Sequence, residues 1–309
     1  MEVQMFNFAY FFWVAIAVGS YIGLYYLLKR FSIKTQKIVI FSLLAFALVL
    51  HFLKVLIPPF STDKERWLTE SWPINICTAN IFLYPFLYLS KSKIAKDYMF
   101  YLGILSSIIA ILYPVEALEK ANQYAEYLDV IRFYVHHIII GVAPTLMVML
   151  GHHKLDYKRV WSAPVILLVV MLFIMVCQVL QSELGYVDIR DKDFFDPNYK
   201  NSSFIWGPGD NSLAKVFTAV CPKFFKTVPI GEYVGQEKYW PWFWMIFPVF
   251  IYITPLSFGL CMFFENKNFC TDVKRLFTVI KNKTNKTNDS TKTNPTDAKN
   301  STTDNIKTE

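Results

Sequence analysis

The chain has no C-x-x-C pair and no His/Cys spacing of the kind that holds zinc, so its five cysteines make neither a disulfide framework nor a metal site. No basic residue precedes the first apolar run, and no small-residue cleavage site follows it before Lys29-Arg30. That run is also too long for a cleavable leader, so it is expected to stay as a helix. Internal repeats are lacking, and so is a pair of discontinuous helices of the transporter kind. Glycine is scarce, at 11 of 309 residues.

What the chain has in excess is apolar: 54% of it is hydrophobic and 17% aromatic. A soluble domain could not hide that much, and it is gathered in blocks of about 18–25 residues, near the roughly 20 that a helix needs to cross the hydrocarbon layer. Inside lipid the backbone must bond to itself, so the blocks read as helices. Seven are found, at 5–28, 38–58, 73–90, 98–115, 128–150, 161–181 and 240–264. The expectation is an all-α polytopic membrane protein of about seven transmembrane helices, filling residues 1–264.

Charge in the short loops predicts the orientation. The first loop carries Lys29, Arg30, Lys34 and Lys37 with no acid; the third has Lys91, Lys93 and Lys96 against Asp97; the fifth has Lys154, Lys158 and Arg159 against Asp156. The second and fourth lean acidic, through Asp63, Glu65 and Glu70, then Glu116, Glu119 and Glu126. The N-terminus is therefore expected outside and the C-terminus in the cytoplasm. The net charge of +7 belongs to this asymmetry and to a basic tail, and nucleic acid is not expected as a partner. Lysine far outnumbers arginine, and Asn, Ile, Phe and Tyr are abundant. That is the bias of an AT-rich genome, so a bacterial plasma membrane is the expected location.

Two polar segments interrupt the apolar pattern. Residues 182–239 form a long outer loop, rich in aromatic and turn residues, that reads as a cap folded over the helix ends. Residues 265–281, containing "NFCTDVKRLFTVIK", read as a basic amphipathic helix on the inner leaflet. Residues 282–309 are low-complexity Asn/Thr/Lys, expected to be disordered.

Polar residues inside apolar helices are expensive and mark candidate sites. The second block has His51 and Lys54; the third has Asn75, Cys77, Thr78 and Asn80; the fifth has Asp129, Arg132, His136 and His137; the sixth has Cys177 and Gln178. If both helices enter from outside, Cys77 lies about 6 Å in and His137 about 13 Å in, within reach of each other on neighbouring helices. Cys177 is a second possible partner. His136 and His137 are adjacent and face about 100° apart. His136 shares a face with Asp129 and Arg132, a charge-paired stripe that is either structural or headgroup-binding. His137 shares a more apolar face with Phe133 and Pro144, where a neutral imidazole can act as a base. A thiol beside such a base becomes a thiolate nucleophile.

The stretches "WPINICTAN", "FYVHHIIIGVAP" and "YWPWFWMIF", in that order on a seven-helix frame, resemble the bacterial YwaF-type proteins and eukaryotic transmembrane protein 164. The resemblance implies an integral-membrane acyltransferase acting on phospholipid and lysophospholipid, with a cysteine nucleophile and a histidine and with no cofactor. It places the cysteine at Cys77 and the histidine, seven residues before a proline, at His137. Asn75, Thr78 or Asn80 would hold the oxyanion, and Arg132 or Lys54 the lipid phosphate, with His51 and His136 beside them. Where the family often has a histidine two residues before the cysteine, this chain has Asn75. "YWPWFW" reads otherwise as an interfacial aromatic belt. Two other functions stay open, a small-solute transporter and a non-catalytic scaffold that uses the outer loop. Oligomeric state is not legible.

Overall fold

The computed structural model describes residues 3–58, 60–114, 127–186, 203–208, 212–227 and 234–292. Its first five helices begin where a short polar side chain can satisfy an amide that the first turn leaves unpaired. Asn7 accepts from the Tyr10 amide at the head of α1 (Phe8–Leu28), and Ser32 from Thr35 at α2 (Ile33–Leu53). Asp63 accepts from Arg66 at α3 (Lys64–Glu70), Asn75 from Thr78 at α4 (Ile76–Leu89), and Ser92 from Ala95 at α5 (Lys93–Leu112). Then follow α6 (Leu128–Met149), α7 (Ser162–Glu183), the short α8 (Ser212–Ala219) and α9 (Ile246–Lys292). Among the described residues the only β pairing is an isolated bridge between Thr227 and Glu237.

The protein is an all-α polytopic membrane protein. Among the described residues, six helices are long and apolar enough to cross a membrane: α1, α2, α5, α6, α7 and α9. The block at 73–90, expected as a seventh, is different. Its helix α4 has only 14 residues, about 21 Å at 1.5 Å per residue and short of a ~30 Å hydrocarbon layer. The apolar run is long enough, but its first residues are spent on extended chain leading to the Asn75 cap. α2 and α5 start five residues earlier than hydropathy places them, at Ile33 and Lys93, because Ser32 and Ser92 cap them there.

α6 is the central helix and packs against α1, α2, α4 and α5. Helices in lipid approach closely where side chains are small. On α5, a methyl group at Gly103 would collide with the Ile140 carbonyl and the Pro144 ring; on α6, one at Gly141 would collide with Ser107 and Tyr21. Trp13 of α1 stacks on Tyr134 of α6 with ring centres 4.6 Å apart.

One end of the bundle is tied by a buried carboxylate. Asp97, near the start of α5, is fully buried; it meets His153 at 2.7 Å and Arg159 at 2.6 Å, both just beyond the end of α6. Tyr88, at the end of α4, donates to the Lys37 carbonyl at the start of α2 (3.3 Å). The final residues of α4 and α6 therefore share one end with the first residues of α2 and α5.

In the 182–239 loop, residues 187–202, 209–211 and 228–233 lie outside the described residues, as do Glu116, Glu119 and Glu126 of the fourth loop. The described part reaches inward. The Trp242 backbone N–H donates to the Ile205 carbonyl (2.7 Å), and its indole N–H donates to the Leu168 carbonyl in the body of α7 (2.8 Å). Trp206 donates to Gln178 (2.9 Å) and Trp244 to the Phe204 carbonyl (2.7 Å); both rings are buried. The expected aromatic belt is thus mostly an internal anchor, since a buried indole N–H needs an acceptor. Only Phe243 is left substantially exposed there.

Residues Met262–Glu309 form a second unit. Helical geometry is broken at Glu265 (φ −128°, ψ 24°) and then continues through Lys292, into the stretch expected to be disordered. Extending an existing helix costs far less than starting one. Residues 293–309 lie outside the described residues.

Candidate functional site

Cys77 is the second residue of α4, directly after the Asn75 cap and Ile76. The Asn75 side chain accepts from the Thr78 amide at 2.8 Å, so Asn75 and Thr78 together close the first turn around the thiol. A thiol at a helix N-terminus is placed where the aligned peptide dipoles favour its anion. Because α4 is short, that N-terminus is recessed. Cys77 stands twelve residues before Leu89 and His137 twelve before Met149, which is about 18 Å in both cases. α4 packs on α6 and their last residues lie at the same end of the bundle, so helix rise puts the thiol and the imidazole at comparable heights on adjacent helices.

The two histidines differ as their faces predict. His137 shares its Nδ1 hydrogen with the Phe133 carbonyl at 2.7 Å, and its ring lies 4.3 Å from the Phe133 ring. That bond sets the tautomer and leaves the Nε2 lone pair for another proton. His136 takes a long 3.5 Å contact from Arg132 on Nδ1, and its ring is 6.2 Å from that of His51. His51 in turn donates Nε2–H to the Ser71 carbonyl at 3.1 Å.

Around these rings is a cationic cluster that the sequence showed only in part. Lys54 and Arg132 were expected; Phe60 and Arg66 were not. The Lys54 ammonium lies 4.8 Å, the Arg66 guanidinium 5.1 Å and the Arg132 guanidinium 5.3 Å from the centre of one buried ring, Phe60. Lys54 is only 2% exposed and donates to the Glu70 backbone carbonyl. Arg132 pairs with Asp129 (2.6 Å) and Arg66 with Glu70 (3.0 Å). Three cations thus face two carboxylates among the described residues. No spacing rule links Phe60, in the turn after α2, to α3 and α6; only the fold does.

Asn80 is fully buried and receives the Tyr98 hydroxyl at 2.8 Å. Cys177 is buried in α7; it and the other four cysteines are free thiols. Among the described residues, no group of three or more His, Cys, Asp or Glu could hold a metal ion.

A family model, that of the TMEM164 family, matches residues 4–208, more than half of the chain. The chain belongs to the TMEM164 family. Neither a curated protein nor a solved structure matches it. The match to the TMEM164 family takes in α1 to α7 and therefore the whole of the Cys77, His137 and Phe60 region. It ends at residue 208, so the "YWPWFW" anchor and α9 fall beyond it.

Proposed function

We propose that this TMEM164-family protein is an integral membrane acyltransferase, or acyl-ester hydrolase, that acts on phospholipids through a Cys77 thioester with His137 as base. One observation supports this reading: Cys77 heads the short helix α4, which packs on α6, the helix that carries His137. His137 takes the thiol proton, and the sulfur attacks the carbonyl carbon of a phospholipid ester. The carbonyl π electrons move onto oxygen and return as the C–O bond breaks. The departing glyceryl oxygen takes the proton from His137, leaving a thioester on Cys77 and a lysophospholipid. In the second half a lysophospholipid hydroxyl, or water, gives its proton to His137, attacks the thioester carbonyl and releases the Cys77 sulfur, which recovers the proton. Arg132 and Lys54 would hold the lipid phosphate, as cations of a cluster with fewer carboxylates than charges.

The loop charges favour an N-terminus outside the cell and a C-terminus in the cytoplasm. With a bacterial plasma membrane as host, the site would draw on the outer leaflet.

The test is mass spectrometry of the detergent-purified protein after incubation with a labelled phospholipid. An acyl adduct on Cys77 that forms slowly in His137→Ala, and disappears when lysophospholipid is added, is the expected result. Loss of the adduct to water alone would make the protein a hydrolase. A wild-type protein that turns over no lipid and carries no acyl group on Cys77 would sink the proposal.

A further inference from the structure

Cys77, Asn80 and Tyr84 stand three and seven residues apart on α4, a spacing that lines them along one face of the helix. Asn80 and Tyr84 are both fully buried. The Tyr98 hydroxyl donates to Asn80 Oδ1 at 2.8 Å, which fixes the amide plane and leaves its Nδ2 hydrogens without a partner among the described residues. The Tyr84 hydroxyl has no partner among them either. Tyr84 packs edge-on to Tyr98, with ring centres 6.3 Å apart. A long side chain on a helix leans back towards the N-terminus, which for Tyr84 is towards Cys77.

Buried polar groups are nearly always hydrogen-bonded, and the exceptions call for a reason. Here two donors without acceptors lie on the face of the helix that carries the thiol, and the thiol sits in that helix's first turn. An oxygen bearing lone pairs is the group this arrangement lacks. A carbonyl oxygen gains most from such donors once it has become an oxyanion.

We propose that the Asn80 amide and the Tyr84 hydroxyl are the donors that hold the carbonyl oxygen of an acyl ester or thioester at Cys77, and that Tyr98 is a positioning residue which aims the Asn80 amide. This rests on the reading of Cys77 as the acyl-carrying nucleophile. When the sulfur attacks, the carbonyl π pair moves onto oxygen and is met by both hydrogen bonds. Tyr84 stays protonated throughout. When the tetrahedral species collapses, the pair returns to the carbon–oxygen bond and the leaving oxygen departs with the His137 proton.

The experiment compares two reactions of Cys77 in the full-length protein in detergent: acylation by a labelled phospholipid and alkylation by iodoacetamide, each followed by mass spectrometry. Alkylation is displacement at a saturated carbon and forms no oxyanion, so it reports thiol reactivity alone. Tyr84→Phe and Asn80→Leu should each slow acylation about 100-fold, as loss of one oxyanion donor does, while alkylation stays near the wild-type rate. Tyr98→Phe should slow acylation less, and should add nothing in an Asn80→Leu background, which a merely structural role would not produce. Unchanged acylation in Tyr84→Phe and Asn80→Leu overturns the assignment. So does an equal fall in both reactions, which would make the effect one of packing. Tyr84→Phe removes a hydroxyl with no partner among the described residues and should fold; if it does not, the hydroxyl has a structural role and the proposal fails. A wild-type Cys77 that alkylates but never acylates would instead refute the nucleophile reading itself.

Discussion

His136 and His137 are chemically identical neighbours, separated in role by one bond each. His137 spends its Nδ1 hydrogen on the carbonyl four residues back, so its Nε2 carries the lone pair, whereas His136 stands beside a guanidinium. The second arrangement belongs to the cluster around Phe60, where the charge balance favours an anion. Replacing Arg132 by Gln keeps a polar, hydrogen-bonding side chain, though a shorter one, and removes one cation. A charge-assisted hydrogen bond contributes about 1.5–3 kcal/mol, so KM for phospholipid should rise roughly ten- to a hundredfold with little change in kcat. Steady-state kinetics on the purified protein would check this, and an unchanged KM would remove Arg132 from the phosphate site. The faces of the two histidines were legible from spacing along one helix. Phe60 and Arg66 were not, because their contacts cross from the turn after α2 and from α3 to α6.

At the level of elements, the short helix α4 matters most. An apolar run reports how much chain the lipid can accept, while the cap reports where the helix begins, and at Asn75 the two disagree. The consequence is depth: the thiol sits about 18 Å from the Leu89 end, at a height comparable to that of His137. Register between α5 and α6 is held by Gly103 and Gly141, which carry no side chain at the crossing. Gly103→Ala should force the helices apart and cost about 1–3 kcal/mol, the usual penalty for overpacking. Thermal unfolding in detergent would show it as a lower midpoint, with Gly19→Ala, which meets open space, as the neutral control. Equal midpoints for the two variants would mean that the crossing tolerates a methyl.

Across the whole molecule, the Asp97, His153 and Arg159 clamp joins the beginning of α5 to the connection after α6. Asp97 is wholly buried, so Asp97→Ala leaves the Arg159 charge without its main partner. Breaking a buried pair in this way costs about 3–5 kcal/mol. The variant should unfold at a lower temperature and lose activity along with fold. Asp97→Ala with wild-type stability would show that the bundle end is held by other contacts.

The sequence by itself determined the all-α membrane class of the protein and the existence of its long apolar helices, with starting points right to a residue only for α6 and α7. Apolar length and short polar caps are local properties, and local chemistry is what a linear reading sees. It also brought Cys77 and His137 forward as a pair, through their neighbours and a family resemblance. Only the tertiary structure decided their comparable heights, the ring of cations on Phe60, the unpaired donors of Asn80 and Tyr84, and the inward reach of Trp242. Each of these depends on which helix ends coincide and which faces meet. Those are relations between distant segments, set by packing, and the order of residues along one helix does not contain them.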